Sequence, residues 1–200
     1  MREAVKGAAR AVALVIVAPS LASYAMRSRL MGRDRALEGS TQFWACAPGV
    51  IGQYLRRAFL MHAIAHCAPS AVIEFGTIFS SASARIDDRA YVGPRCHIGW
   101  AHLERDVLLA AGVHVPSGAD THGTASLALP IRDQPGARRE VCVGAGSWIG
   151  SAAVVMADVG SDSIVGAGAV VVQALPDRVV AGGVPARVIK PREPALKRAN

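Results

Sequence analysis

Residues 143–171 read VGAGSWIGSAAVVMADVGSDSIVGAGAVV, in which an aliphatic residue returns about every six positions and glycine often follows it. The same spacing extends upstream to about residue 72, with short slips and one long break after Gly118. The recurring positions are Ile73, Phe79, Ile86, Val92, Ile98, Leu103, Leu109, Val115, Val143, Ile149, Val155, Val159, Val165 and Val171. Repetition at a short fixed period is typical of a solenoid, whose units bury their apolar side chains by stacking on their neighbours.

Each six-residue unit fits a short strand followed by a sharp turn. The strand points one aliphatic side chain inward, and the turn needs small residues or the permissive backbone of glycine. Three units would close one triangular coil around a thin column that has no room for an indole. The composition agrees with this interior, because 52% of the residues are apolar but only ten of 200 are aromatic. An intrinsically disordered chain is excluded, because such chains are rich in charge and poor in apolar residues.

The stretch WIGSAAVVMADVGSDSIVGAGAVV, followed by AGGVPARVIK, resembles the C-terminal coils of the hexapeptide-repeat O-acetyltransferases of the galactoside, maltose and xenobiotic group. The segments PIRDQPG and YLRRAF are similar to a branch associated with cell-surface polysaccharide biosynthesis. The resemblance covers about residues 45–190. It implies an all-β fold, a left-handed parallel β-helix, here with N-terminal helices, and it implies a homotrimer. We expect an apolar and amphipathic helical segment at 1–70, the β-helix at 71–180 with a loop excursion at 119–142, and a basic tail at 181–200.

The break in the repeat carries the candidate chemistry, because a solenoid has no packing reason to form a long loop and long loops are often functional. The loop contains one histidine, His122. Imidazole suits general-base work, since its unperturbed pKa of about 6.5 lies near neutral pH. The resemblance implies that His122 deprotonates an acceptor hydroxyl for direct attack on acetyl-CoA, without a covalent acyl-enzyme. Asp120 or Asp133 would orient the imidazole or bind the acceptor, and the sequence does not decide between them.

The remaining histidines are weaker candidates. His97 and His114 occupy equivalent slots, and we expect them to stack on an outer face, either lining the acceptor groove or forming part of a polar surface. His97 and His102 have the four-residue spacing of two zinc ligands in γ-type carbonic anhydrases, which share this fold. No third histidine lies a suitable number of coils away, so a zinc hydratase is a minor alternative and no metal is expected. His62 and His66 are predicted on a helix that precedes the repeat.

The resemblance also suggests where the donor binds. Acetyl-CoA would lie in a groove between adjacent prisms of the trimer, against the small turns Ser151 and Gly166-Ala167-Gly168. Trp148 is predicted to point outward as a wall of the active site or as part of the trimer contact. Arg187 and Lys190 would meet the nucleotide phosphates through charge-assisted hydrogen bonds, or else belong to a solvated basic tail.

Charge is unevenly distributed along the chain. Residues 1–60 hold nine Lys and Arg against three Asp and Glu, whereas residues 61–180 hold eight against eleven. A nucleic-acid-binding body would show a basic stripe with interleaved aromatics. The folded body is acidic instead, so we expect no nucleic-acid partner. From about Gly52 to Cys67 the apolar spacing predicts an amphipathic helix with Arg56 and Arg57 on its exposed face.

The N-terminal stretch Ala11–Ala18 reads AVALVIVA and follows three basic residues. We favour peripheral membrane association through residues 8–35, with Arg27, Arg29, Arg33 and Arg35 facing anionic headgroups. Packing on the protein itself, or a cleaved signal or true span, are the alternatives. Because acetyl-CoA is a cytoplasmic donor, we expect a cytoplasmic enzyme at the inner face of the membrane. Its acceptor would be a sugar or glycan hydroxyl, and a non-catalytic β-helix binding module is the rival interpretation.

Overall fold

The computed structural model describes residues 2–193, with side chains from Lys6 onward. Three helices come first: α1 (Arg2–Met31), α2 (Arg33–Ala45) and α3 (Gly49–Ala63). The amphipathic helix predicted over 52–67 is present, but it begins at Gly49 and ends at Ala63. His66 therefore lies on the first strand and not on a helix.

A parallel solenoid of about six turns follows the helices. Its strands are β1 (His66–Cys67), β2 (Val72–Ile73), β3 (Ile78–Phe79), β4 (Arg85–Ile86), β5 (Tyr91–Val92), β6 (His97–Ile98), β7 (Ala101–Leu103), β8 (Leu108–Leu109), β9 (His114–Val115), β10 (Val141–Val143), β11 (Trp148–Ile149), β12 (Val154–Val155), β13 (Ile164–Val165), β14 (Val170–Val171), β15 (Val179–Gly182) and β16 (Arg187–Pro191). They form three sheets: face A (β1-β4-β7-β10), face B (β16-β15-β13-β11-β8-β5-β2) and face C (β14-β12-β9-β6-β3).

The column of apolar side chains predicted from the repeat, all aliphatic except Phe79, forms the core of the solenoid. Every one of the fourteen recurring positions is at most 2% exposed. Strand register explains this, because equivalent units pair directly, as Ile98 does with Val115 on face C and Ile149 with Val165 on face B. Fully buried stacked aliphatics supply the apolar burial that a core rich in aromatics would supply elsewhere.

The elements begin and end at slightly different residues from those expected. The solenoid begins at His66, and β10 already begins at Val141, so the excursion from the repeat ends at Glu140. The loop contains one short 3-10 turn, Ile131–Asp133. Part of the expected basic tail is ordered, because Arg187–Pro191 pairs antiparallel with β15. Residues 194–200 lie outside the described chain.

The helices cover the open edge of the first coil, where strands have no preceding coil to pair with. The expectation that Arg56 and Arg57 are exposed is wrong: they are 2% and 8% exposed. Arg56 Nε donates to the carbonyl oxygen of Ile73 at 2.9 Å, and Arg57 Nη1 donates to that of Ala71 at 3.0 Å. Burial lowers the pKa of both guanidinium groups. The two arginines thus satisfy backbone acceptors that would otherwise be buried without a partner.

Candidate active site

Small residues stack in a column at the corner between faces B and C. The Gly168 amide donates to the Ser151 carbonyl at 2.8 Å, and the Ala152 amide donates to the Ala111 carbonyl at 2.9 Å. A Cβ at Gly150 would lie 2.4 Å from the Ala167 nitrogen, so this turn admits only glycine. The structure therefore brings Ser151 and Gly166-Ala167-Gly168 together, in consecutive coils, as a shallow surface of exposed backbone.

Trp148 stands beside this column on face B. Its side chain is 48% exposed, which agrees with the predicted outward orientation. It pairs in register with Leu108 on one side and Ile164 on the other, and the register continues through Val180 to Lys190. Three strand spacings separate Trp148 from Lys190, which is roughly 14 Å at the usual spacing of paired strands. Trp148 and Lys190 thus lie in one row of register partners on face B. Arg187 is exposed on β16, the strand that also carries Lys190.

His97 and His114 stack on face C, as predicted from their equivalent slots. They are register partners, and their ring centroids lie 6.0 Å apart. The pKa of His97 is lowered, first by burial and then by the neighbouring His114, while Glu38 opposes the shift. Lowering this pKa favours the neutral imidazole at neutral pH. A neutral ring offers one donor and one acceptor to a polar ligand on this face.

The loop that carries His122 leaves the solenoid at the other edge of face C, between β9 and β10. One coil earlier the same turn has only two residues, Gly99 and Trp100. The N-terminal and C-terminal parts of the loop, its two legs, pack closely against each other. The Ala137 amide on one leg donates to the Asp120 carbonyl on the other at 2.7 Å. A Cβ at Gly136 would lie 2.2 Å from the Thr121 carbonyl oxygen, so the legs leave no space for a side chain there.

Gln134 fixes the distal part of the loop. It is buried, its Oε1 accepts the Ser126 amide at 2.9 Å, and its Nε2 donates to the carbonyls of Ser126 and Leu129 at 2.8 and 2.9 Å. His122 itself is exposed at the narrow base of this structure. The sequence singled out the histidine but not Gln134 or Gly136, because their roles depend on contacts within the loop and not on any period.

No hydrogen bond joins His122 to Asp120 or Asp133 in the described part of the chain. Asp133 instead lies 3.8 Å from the Arg132 guanidinium. The structure therefore leaves the imidazole on the loop surface, and neither carboxylate orients it within one chain. The carboxyl group of Asp120 is exposed two residues from His122 and is free to contact an acceptor.

Arg138 and Arg139 bind the C-terminal end of the loop, just before β10, to the rest of the protein. Arg138 Nη1 lies 2.8 Å from Asp34 Oδ2 at the start of α2, and Arg138 Nη2 donates to Ser117 Oγ at 3.3 Å. Asp34 also accepts the Ala82 amide at 2.8 Å, so it links helix, coil and loop. Arg139 pairs with Asp158 at 3.2 Å. Sequence reasoning missed the Arg138–Asp34 pair because the two residues are 104 positions apart.

We expect Arg138→Ala to lower kcat for acyl transfer roughly tenfold, because small displacements of a catalytic group are costly. The melting temperature should hardly change, since a half-exposed ion pair contributes only ~0–1 kcal/mol. Steady-state kinetics with limited proteolysis of the loop would measure both effects. The same loss in Asp34→Asn, without further loss in the double variant, would assign the effect to the pair. Wild-type kcat and unchanged proteolysis in Arg138→Ala would show that the pair does not position the loop.

The two histidines of the zinc alternative lie on different sheets, His97 on face C and His102 on face A. His102 Nε2 lies 2.9 Å from Asp87 Oδ2. Among the side chains described, those of residues 6–193, no group of three or more His, Cys, Asp or Glu is arranged to hold a metal ion.

The chain is similar in sequence to a known acetyltransferase. The chain is 26% identical over 163 residues to the galactoside O-acetyltransferase of Escherichia coli strain K12. The alignment covers 71% of this chain and 80% of that protein. No protein-family model matches the chain.

Solved structures share the fold. A maltose O-acetyltransferase from Clostridium difficile 630 superposes with a TM-score of 0.67 at 18% identity, covering 80% of this chain and 89% of that one. A galactoside acetyltransferase in complex with coenzyme A superposes with a TM-score of 0.64 at 20% identity, covering 82% and 86%. These similarities show that the solenoid is the left-handed β-helix of acetyltransferases. Together with the hexapeptide repeat and the galactoside O-acetyltransferase relative, they make this chain similar in sequence and in fold to the hexapeptide-repeat acetyltransferases.

Proposed function

We propose that this protein transfers an acetyl group from acetyl-CoA to a hydroxyl of a sugar or cell-surface glycan precursor, with His122 as the general base. The observation that carries the proposal is the internally hydrogen-bonded loop that presents His122 at the single long break in the repeat. Two relatives support a sugar acceptor, since one is named a galactoside and the other a maltose O-acetyltransferase. A third supports the donor, because it is a complex with coenzyme A.

In the proposed reaction the neutral imidazole of His122 accepts the proton of the acceptor hydroxyl. The hydroxyl oxygen attacks the thioester carbonyl, and the tetrahedral intermediate then breaks its carbon–sulfur bond. The leaving thiolate of coenzyme A takes the proton back from the imidazolium, so that the enzyme returns to its starting state. Asp120 and His114 are the polar groups proposed to hold the acceptor near this base. Positioned proton transfer of this kind contributes roughly 10²–10⁴-fold to a rate.

The stacked turns at the corner between faces B and C are the proposed floor of the donor groove. Coenzyme A combines an apolar arm with a phosphate-rich end. Backbone exposed at Ser151 and Gly166-Ala167-Gly168 permits close approach of the arm, and Trp148 forms a wall beside it. Lys190 and Arg187, at the end of the same face, would bind the phosphates through charge-assisted hydrogen bonds.

We also propose a homotrimer acting on the cytoplasmic side of the membrane. A single prism offers only one wall of the donor groove, and face B carries an outward ladder of Tyr91, Leu108, Trp148 and Ile164. Such a ladder suits burial between subunits, because apolar and aromatic side chains are enriched in the core of interfaces. The cytoplasmic location follows from the donor, which is made and used there.

Replacing Ala167 with tryptophan tests the donor groove. Ala167 is exposed at the corner, so the indole should obstruct the groove without disturbing the core. We expect the KM for acetyl-CoA to rise at least about tenfold, which is ~1.4 kcal/mol of binding free energy. Calorimetric titration with coenzyme A should show the same loss. Arg105→Trp, at the equivalent exposed position of another corner, is the matched control. Failure of the wild-type protein to bind coenzyme A would instead favour a non-catalytic module.

A further inference from the structure

A stripe of apolar side chains runs along the outer face of α1. Its members are Val12, Val15, Ile16, Met26 and Leu30, which helical spacing places on one side of the helix. All five are exposed, and Val15 is 73% exposed. Residues 11–26 contain no charged side chain. The catalytic proposal makes no use of this stripe.

Apolar side chains at the start of α3 lie beside the stripe and widen the apolar surface. Val50 and Ile51 are exposed, and Ile51 is 74% exposed. Together with Val12 and Ile16 they line an open groove between the two helices. Folded soluble proteins rarely expose a contiguous apolar patch of this kind without a partner for it.

The opposite side of α1 is fastened to the protein. Tyr24 is buried and its hydroxyl donates to the Ala63 carbonyl at 2.9 Å. Trp44 Nε1 donates to Ser20 Oγ at 3.1 Å, and Arg27 Nη2 donates to Ser40 Oγ at 2.8 Å. Lys6–Met31 is long and apolar enough to cross a membrane, and only 17% of its most apolar 18-residue window is buried inside the protein. A helix held along its length by α2 and α3 fits a position in the plane of a membrane surface better than one across it.

The charge around the stripe has a single sign. Residues 4–33 contain five Lys and Arg and no Asp or Glu. Arg10 and Arg29 are exposed near the two ends of the stripe. Two of the arginines expected to face headgroups are engaged within the protein instead, Arg27 with Ser40 and Arg33 with the Ala63 carbonyl at 3.4 Å.

Arg57 adds positive charge beneath this surface. It lines a crevice with Arg10 between α1 and α3. Its pKa is lowered first by burial and then by Arg10, and no carboxylate is among the groups that act on it. Arg57 is itself buried and bonded to the Ala71 carbonyl, so the cations that can face outward are the exposed Arg10 and Arg29. Apolar contact combined with exposed positive charge at both ends matches the surface of an anionic bilayer.

We propose that the α1 stripe, with Val50 and Ile51, docks this protein on the surface of an anionic lipid bilayer with α1 lying in the membrane plane. This docking goes beyond the proposed acetyl transfer and does not depend on it. The bilayer is a better match than a protein partner, because the stripe itself is aliphatic apart from Met26 and has exposed cations near both of its ends. Docking would hold the solenoid at the surface where membrane-bound acceptors are presented.

Sedimentation of the full-length protein with phospholipid vesicles tests this proposal. We expect binding to vesicles of phosphatidylcholine with phosphatidylglycerol, weaker binding to phosphatidylcholine alone, and loss of the difference in high salt. Val15→Asp and Ile51→Asp should each weaken partitioning roughly tenfold or more, because each places a charge in the apolar contact. Arg10→Gln should weaken binding to the anionic vesicles about fivefold, or ~1 kcal/mol, and hardly affect the neutral ones.

Ile189→Asp is the matched control, because Ile189 is 67% exposed on β16, away from the stripe. It should bind vesicles like the wild type, and so should His122→Ala, which separates docking from catalysis. Equal binding of Ile51→Asp and wild type would overturn the proposal. So would a doubled mass in solution that Val15→Asp abolishes, because the stripe would then join two copies of the assembly.

Discussion

His122→Ala should lose nearly all acetyl transfer, with kcat reduced roughly 10²–10⁴-fold while the protein remains folded and assembled. The physical reason is that an alcohol is a poor nucleophile until its proton is leaving, and His122 carries the only imidazole in the loop sequence. Folding should be insensitive to the change, because His122 is exposed and makes no hydrogen bond within residues 2–193. The measurement is transfer from labelled acetyl-CoA, with melting temperature and assembly mass followed in parallel.

His62→Ala is the control for this experiment, because His62 is an exposed histidine on α3, far along the chain from the loop. Its activity should match that of the wild type. His122→Asn adds a second check, since an amide keeps hydrogen bonding but cannot accept the proton. If His122→Ala transfers acetyl groups at a near-normal rate, the general-base mechanism is wrong.

Arg56→Met should destabilise the protein by roughly 3 kcal/mol or more, the largest stability effect that we expect from a single change. The guanidinium of Arg56 donates to the carbonyl oxygens of Ile73, Trp44 and Ala47 while it is almost fully buried. Methionine fills much of the volume but donates nothing, so the Ile73 and Ala47 carbonyls lose this donor, at ~1–3 kcal/mol for each unsatisfied group, whereas the Trp44 carbonyl keeps the Ala47 amide. Arg56→Lys should recover only part of the loss, because one ammonium group cannot reproduce the planar fork.

Denaturant unfolding followed by circular dichroism would measure this effect on the whole assembly. Arg105→Met is the control, because Arg105 is exposed in a solenoid turn and should change stability by no more than ~0.5 kcal/mol. An unfolding midpoint of Arg56→Met equal to that of the wild type would show that Arg56 does not stabilise the first coil. Selective loss of β1 and β2 protection in hydrogen exchange would locate the damage at the capped edge.

The solenoid could be predicted from sequence because its signal is local and repeated. Each inward aliphatic follows the previous one by about six residues, and strand register then carries the pattern across coils, so that even the stacking of His97 on His114 follows from counting units. The outward orientation of Trp148 follows in the same way, because it directly precedes the inward Ile149.

The ends of the solenoid and the loop could not be predicted in this way. At the first coil the repeat has no earlier neighbour, and helical periodicity alone placed Arg56 and Arg57 in solvent although the open strand edge requires donors there. At the loop, Asp34 and Arg138 meet only after the chain has folded, so no spacing reveals them. Arg187 and Lys190 were expected in a tail, but the antiparallel pairing of β16 with β15 orders them on face B.

In the proposed reaction the acetyl group moves directly from acetyl-CoA to an acceptor hydroxyl. Incubation with isotope-labelled acetyl-CoA and a panel of sugars and lipid-linked glycans, with mass spectrometry of both acceptors and intact protein, tests it most directly. We expect label on the hydroxyl of a glycan acceptor, no label on the protein, and no transfer by His122→Ala. Label retained on the protein, or a wild-type protein that binds no coenzyme A and labels no acceptor, would contradict it.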